Sequence, residues 1–447
     1  MNESQKPITC IGSGAGFAGD RVDPAVALVK SGLIDSLGLE CLAERTLVPA
    51  IKLRKENSKK GFDPRLRTRL TPLLPEAFQK NCRIISNLGA ANPACAGEEI
   101  ARLANELGYK KRRIAGMIGD DVMGLTQHIK WNKPIDGQAN LLGAHAYLGC
   151  KMMSKALEEG ADVVVTGRVA DSAIFAAPAL AHLDNEGDAL AGALTVGHLL
   201  ECGGQLTGGN YEPIAGNTKP PPLSAQEYAA LGYPLAKIFK DGHAQISLVP
   251  GLPGIVDKLT CTLQLLYEVH NPAHYITPDL ILDFSNVRFE QTASNQIMLY
   301  GACSKGAPPT LKVAGFVEHP GFTVDIEIGY AGTGALMRAQ FASDVLRRRV
   351  SNWLGIEAQI DLVGVNSVLG QCSRDLTAEP VEVRVHISAV CDDSFAAQSV
   401  EDEVYALTLS GPAGGCSVRS EKRARIEVLD GYIEQKWIQA ELIWSES

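Results

Sequence analysis

VVVTGRVADSAIF, residues 163–175, is the stretch on which the fold turns. Three valines, Val163 to Val165, run into Thr166 and Gly167, and the charges Arg168 and Asp171 follow at once. Uninterrupted β-branched residues suit a strand buried on both faces. Such a strand belongs to a mostly parallel sheet, because βαβ crossovers lay helices over both faces. Ala173 to His182 reads as one of those helices. Arg168 and Asp171 then stand at the strand's carboxyl end, where open parallel sheets bind their ligands.

The same alternation extends towards the N-terminus. Pro7–Ile11, Arg83–Ser86 and Arg113–Ile118 are strand candidates. Pro24–Lys30 reads as a helix with Asp23 as its N-cap, and Gly97–Leu107, Leu141–Leu157 and Ala189–Glu201 are helical by composition and period. The expected class is α/β, with a mostly parallel sheet and helices on both faces over residues 1–210. Residues 211–257 are rich in Gly and Pro, sharpest at Lys219–Pro222, and read as a connection. Residues 258–447 group strands beside fewer helices and read as an α+β region. Its strand candidates are Leu280–Phe289, Gln296–Tyr300, Thr310–Phe316, Phe322–Gly329, Gln359–Val365 and Val381–Val390. Its helices are Ala335–Trp353 and Val400–Leu409, and Arg423–Trp444 reads as a hairpin.

Bulk properties narrow the function. A chain of 447 residues exceeds the roughly 250–300 at which single cores stop growing, so two units are expected. With 45% hydrophobic and 21% charged residues the chain can bury a large core. A net charge of −9 argues against nucleic acid and anionic membranes as partners. No run of about 18 apolar residues is present, so no membrane span is expected. Eleven cysteines without a C-x-x-C pair read as reduced thiols in a cytoplasmic protein.

Each strand candidate in the first half ends in Gly and polar residues, so the site is expected along one rim. After the first strand comes Gly12-Ser13-Gly14-Ala15-Gly16-Phe17-Ala18-Gly19-Asp20-Arg21. Gly14, Gly16 and Gly19 match a dinucleotide fingerprint. Yet Asp35 and Glu40 read as helix or loop, not as the acid that ends the next strand. A turn whose N–H groups hold an anion, or a structural turn, are the other readings. Asn87 and Asn92 follow the second candidate, Asp120 and Asp121 the third, and Thr166, Gly167 and Arg168 the fourth. The two adjacent aspartates suit a divalent cation or acid–base work, or simply cap a helix. Arg168 is a natural fork for a carboxylate, and its i, i+3 spacing to Asp171 equally suits an ion pair. Glu201 opens a second Gly-rich stretch with Gly208, Gly209 and Asn210. Cys202 reads either as a nucleophile or as a buried inert thiol, and His198 lies one helical turn before it.

Seven ordered motifs carry a family resemblance: AGFAGDR (15–21), ISNLGAANP (85–93), IGDD (118–121), VVTGRVADSAIF (164–175), GHLLECGGQLTGGNY (197–211), ITPDLILDFSNVRFE (276–290) and SGPAGG (410–415). Together they resemble the acyclic terpene utilisation (AtuA) family, across about residues 8–440. The resemblance implies a catabolic protein encoded beside enzymes of acyl-CoA and branched-acid breakdown. It also implies a small partner subunit, since some relatives carry an extra C-terminal domain or a separate small protein resembling it.

The expectation is therefore a catabolic enzyme acting on a small carboxylate or acyl thioester, as a hydratase or other lyase. Asp120 or Asp121 would serve as acid or base, with Asp171, Asp20 and Glu201 as further candidates. Arg168 would fork a carboxylate. Gly14, Gly16, Gly19, Arg21, Asn87, Asn92, Thr166, Gly167, Gly208, Gly209 and Asn210 would line the substrate site. A divalent metal ion and a homo-oligomer are expected. The alternatives are a non-catalytic ligand- or partner-binding subunit of a larger complex, and a dinucleotide-dependent oxidoreductase.

Overall fold

The computed structural model describes residues 6–210, 222–370 and 379–447. The first half of the chain runs β1 (Thr9–Ala15), α1 (Asp23–Ser31), β2 (Ser36–Leu39), α2 (Glu44–Glu56), α3 (Leu66–Lys80), β3 (Arg83–Ser86), α4 (Pro93–Glu106) and β4 (Arg113–Ile118). It continues through β5 (Lys130–Trp131), β6 (Asn140–Ala146), α5 (Lys151–Glu158), β7 (Val163–Thr166), α6 (Asp171–Leu180) and α7 (Asp188–Leu200). After the helical turn α8 (Ala225–Ala229) come β8 (Pro234–Ile238) and β9 (Ala244–Leu248).

The class is α/β. Five strands form a parallel array in the order β1-β2-β3-β7-β4. The three valines lie in its interior: Val164 packs with the helices α5, α6 and α7, while Val163 and Val165 pack with α1, α3 and α4. That division is why an unbroken apolar run was needed, since neither face of β7 meets water. Antiparallel strands extend the array at both ends. β8, β9, Gln296–Tyr300 and Arg288–Ala293 follow beyond β1, and Glu441–Glu446 closes the far side.

Several local expectations are corrected. Leu141–Leu157 is not one helix but β6 followed by α5. Its Ala and Leu content looks helical, yet Leu142, Ala144 and Ala146 enter the core at a period of two, the strand period. The Arg423–Trp444 stretch is not a hairpin: Glu441–Glu446 leaves Cys416–Glu434 and pairs antiparallel with the free edge of β4. Gly12–Ala15 belong to β1 and not to the loop after it. β2 went unread because its four residues, SLGL, are short and include Gly38. That glycine is required: a Cβ there would lie 2.4 Å from the Phe175 ring of α6.

The compact units also divide differently from 1–210, 211–257 and 258–447. One comprises Met1–Lys133, Leu142–Gly315 and Leu429–Ser447, and the other Pro134–Leu141 and Phe316–Val428. Of the 211–257 stretch, residues 211–221 lie outside the described residues, while β8 and β9 are strands of the large sheet. The smaller unit has a βαββαβ order, with Ala358–Val363, Glu382–Cys391, the part of Thr310–Ala331 from Phe316 on and the part of Cys416–Glu434 up to Val428 side by side. Helices Ala335–Leu346 and Ser394–Ser410 supply Ala339, Ala342, Val400 and Val404 to its core. Among the described residues no helix is long and apolar enough to cross a membrane.

Gly38→Val should destabilise the protein by about 1–3 kcal/mol through overpacking against Phe175. Urea unfolding measures this, and an unchanged midpoint would contradict the packing of α6 on β2.

Candidate functional site

The carboxyl ends of the parallel strands are aligned. Leu39 is opposite Ser86, Ser86 opposite Val165, and Met117 opposite Thr166. Asp20, Asn87, Asp120 and Arg168 therefore follow strands that end on one rim, as the sequence suggested, and Glu40 joins them after β2. What the side chains do there differs from the expectation in several places.

The glycine-rich loop holds an anion, and the anion is its own. Asp20 Oδ2 accepts the Gly16 N–H and Oδ1 the Arg21 N–H, both at 2.8 Å. The Tyr233 hydroxyl also donates to Asp20. The glycines make room for protein, not for a cofactor. A Cβ on Gly14 would meet Leu39 at 2.5 Å, one on Gly16 the Cys202 backbone at 2.5 Å, and one on Gly19 the Phe17 ring at 2.8 Å. Glu40 does end the second strand, contrary to the helix-or-loop expectation. Its Oε1 accepts from Leu42 N at 2.8 Å and from Asn87 Nδ2 at 3.0 Å, so it points inward and is buried. The dinucleotide reading loses both its phosphate cradle and its ribose acid. Arg21 pairs with Asp23 on the surface.

Asp120 and Asp121 are neighbours in sequence with separate roles. Asp120 is 3% exposed, and its Oδ2 contacts His145 Nδ1 and accepts the Arg168 N–H, each at 2.8 Å. Gly167 permits this, since a Cβ there would stand 2.4 Å from that oxygen. Asp121 instead forms a half-exposed pair with Arg54 at 3.1 Å. Two carboxylates so occupied do not make a shared cation site. Among the described residues no group of three or more His, Cys, Asp or Glu side chains is placed to hold a metal.

Arg168 is not a substrate fork. Its guanidinium is buried at 2% exposure, and each of its three nitrogens donates to a protein acceptor. Nε and Nη2 donate to Val169 O at 3.2 and 3.1 Å, Nη1 to Leu42 O, and Nη2 to Asp171 Oδ1. Its plane lies 4.5 Å from the Tyr147 ring centroid. Arg168 thus orients Asp171, in the first turn of α6, where a carboxylate also meets the positive end of the helix.

Asp171 and Glu201 both line a cavity of about 180 Å³, walled also by Tyr147, Ser172, Glu268, Tyr275 and Lys312. Partial burial pushes the Asp171 carboxyl well above the usual range. The neighbouring carboxylates Glu40, Glu201 and Glu44 add to this, and Arg168 opposes it. Asp171 still keeps 38% of its side chain accessible, so it is a titrating group and not a sealed one. Glu201 contacts His198 Nδ1 at 2.9 Å, and His198 Nε2 lies 3.1 Å from the Leu265 carbonyl. Both imidazole nitrogens face oxygen acceptors, which favours the doubly protonated ring. Burial alone lowers the His198 pKa, but Glu201 and the Leu265 carbonyl reverse this and raise it. Cys202, next in the chain, has its thiol pushed up to about 12 by burial, which makes it a poor nucleophile.

The remaining expected residues are structural. Asn92 caps α4 and donates to Ser58 O and Lys60 O. The Thr166 hydroxyl donates to Gly167 O at 3.1 Å. Gly208 and Asn210 adopt positive φ, and Gly209 packs on the Gly204 carbonyl. None of these three is among the residues lining the cavity. Tyr147, Glu268, Tyr275 and Lys312 were missed. Tyr147 follows a strand that resembled a helix, and the other three lie on segments brought in from far along the chain.

The structure thus defines an α/β protein with a carboxylate-lined cavity at the ends of its parallel strands. The chain belongs to the family described as acyclic terpene utilisation family protein AtuA, whose sequence profile matches residues 9–444. No curated protein matches it in sequence. Part of the chain is similar to a de novo designed protein, Ferredog-Diesel, at 19% identity over 22% of this chain and 83% of that one, with a TM-score of 0.16.

Asp20→Ala leaves two loop N–H groups without their acceptor and should cost about 1–3 kcal/mol in urea unfolding. The His198 contribution has a defined pH dependence. Because the folded value is raised, the stabilisation is complete below about pH 6.5, the unfolded value, and is lost as pH rises through the folded one. The stability difference between wild type and His198→Gln should shrink accordingly in unfolding curves taken across that range.

Proposed function

We propose that the chain is a catabolic lyase of the hydratase type that acts on an acyl thioester. The observation that carries this is a pair of carboxylates, Asp171 and Glu201, facing one cavity with different partners behind them. Asp171 is the group whose carboxyl is pushed upward, which suits a proton donor. Glu201, backed by His198, suits a proton acceptor. In the dehydration direction Glu201 removes the proton on the carbon next to the thioester carbonyl. Asp171 gives its proton to the hydroxyl on the next carbon, which leaves as water, and a carbon–carbon double bond remains. Hydration is the reverse. Lys312, a cation in the cavity wall, faces the charge that develops on the carbonyl oxygen.

A thioester fits better than a free carboxylate. Asp171, Glu201 and Glu268 already line the cavity, and Arg168, whose nitrogens all donate to protein acceptors, is not among the residues lining it. The reading extends to a cytoplasmic homo-oligomer, with a small partner subunit as the family resemblance implies. Exposed Met337, Phe341 and Phe395, at 68%, 62% and 79%, support self-association.

Asp171→Asn and Glu201→Gln should each lower kcat on 3-hydroxyacyl or enoyl thioesters by about 10²–10⁴ in protein that still melts cooperatively, the Asp171 variant at a lower temperature because Arg168 loses its counter-charge. Dehydration should weaken as pH rises through the raised Asp171 value, because the donor is then ionised. Full turnover in both variants would overturn the assignment.

A further inference from the structure

The catalytic cavity is too small for a whole substrate. At about 180 Å³ it falls below the roughly 300–1,000 Å³ of pockets that enclose a ligand. A second cavity of about 530 Å³ adjoins it, and Pro278 and Leu311 line both. Met117 at the end of β4, Leu148 after β6, Met152 on α5, and Ile438 and Ala440 near the C-terminus give this chamber apolar walls. Met117 and Leu148 are 1% and 4% exposed and belong to the packed interior, while Met152, Ile438 and Ala440 are half-buried. Methionine side chains adapt to irregular apolar shapes, which suits a flexible chain more than a rigid ring.

Several polar groups that line the chamber are already engaged, and two others, Gln439 and Glu441, are exposed to solvent. Both Asp279 carboxylate oxygens accept the Cys150 N–H at 3.1 Å, at the start of α5. Gln435 Nε2 donates to Pro278 O at 3.1 Å and Pro308 O at 3.0 Å, tying the wall in place. Lys151 pairs with Glu186 at 2.8 Å. The wall formed by Met117, Leu148, Met152, Ile438 and Ala440 is left suited to hydrocarbon.

We infer that the chamber is an acyl-tail site: the reacting carbons lie between Asp171 and Glu201, and the apolar remainder of the acyl group passes Leu311 and Pro278 into it. This rests on the lyase reading for the position of the reacting end. The chamber, not the catalytic carboxylates, then sets the preferred chain length.

The test is calorimetric binding of saturated acyl N-acetylcysteamine thioesters to the full chain, in a series that lengthens from four carbons. Affinity should rise roughly fourfold for each added methylene until the chamber is full. Met152→Trp, and separately Ile438→Trp, should retain binding of the shortest member and lose the gain from longer ones. The two variants guard against one that fails to fold, which melting curves detect. Equal affinity along the series, no binding by any member, or an undiminished gain in both folded variants overturns the inference. Chain-length-dependent binding without turnover of the matching hydroxyacyl thioesters overturns the lyase reading and leaves the chamber standing. Turnover without chain-length dependence does the opposite.

Discussion

One buried guanidinium holds the rim together. A charge inside a protein is tolerated only when its donors are matched, and removing one partner of such a group costs about 3–5 kcal/mol. Arg168 meets that demand with acceptors from three places: Leu42 beyond β2, Val169 beside it, and Asp171 on α6. Its own N–H binds Asp120, which contacts His145 on β6. The segments following β2, β4 and β7 are therefore fixed relative to one another by one residue. Asp171 takes its position from that arrangement, whereas Glu201 is held by His198.

The rim divides into a sealed part and an open part. Asp20, Glu40 and Asp120 satisfy backbone and side-chain donors and act as internal acceptors. Asp171 and Glu201 have a buried partner on one side and the cavity on the other. This asymmetry separates carboxylates enclosed by the protein from those that face a cavity. It also explains why a loop with the spacing of a cofactor cradle holds no free N–H pair for a phosphate at Gly16 and Arg21.

Much of the architecture was legible. Val163–Thr166 identified a doubly buried strand, and the Gly-plus-polar endings of β1, β3, β4 and β7 marked a shared rim. Arg168 paired with Asp171 was one of the two readings its spacing allowed. Other elements were hidden for physical reasons. β2 is short and holds a glycine, because Phe175 needs the space. β6 is built of residues that also favour helices, so composition masked its period of two. The C-terminal strand follows a long strand closely enough to suggest a hairpin, but the open edge of β4 offered a better-matched partner.

By itself the sequence determined what local chemistry controls: the buried valine strand, the helices that flank it, the polar strand ends, and the family through its ordered motifs. Tertiary structure alone decided which charges meet. Asp171, Glu201, Tyr275 and Lys312 are far apart along the chain yet share one cavity. Asp120 and Asp121 are adjacent yet face a buried histidine and a surface arginine. The reason is that alternation along a backbone sends neighbouring side chains in opposite directions, while chain folding brings distant ones together at distances only packing can set.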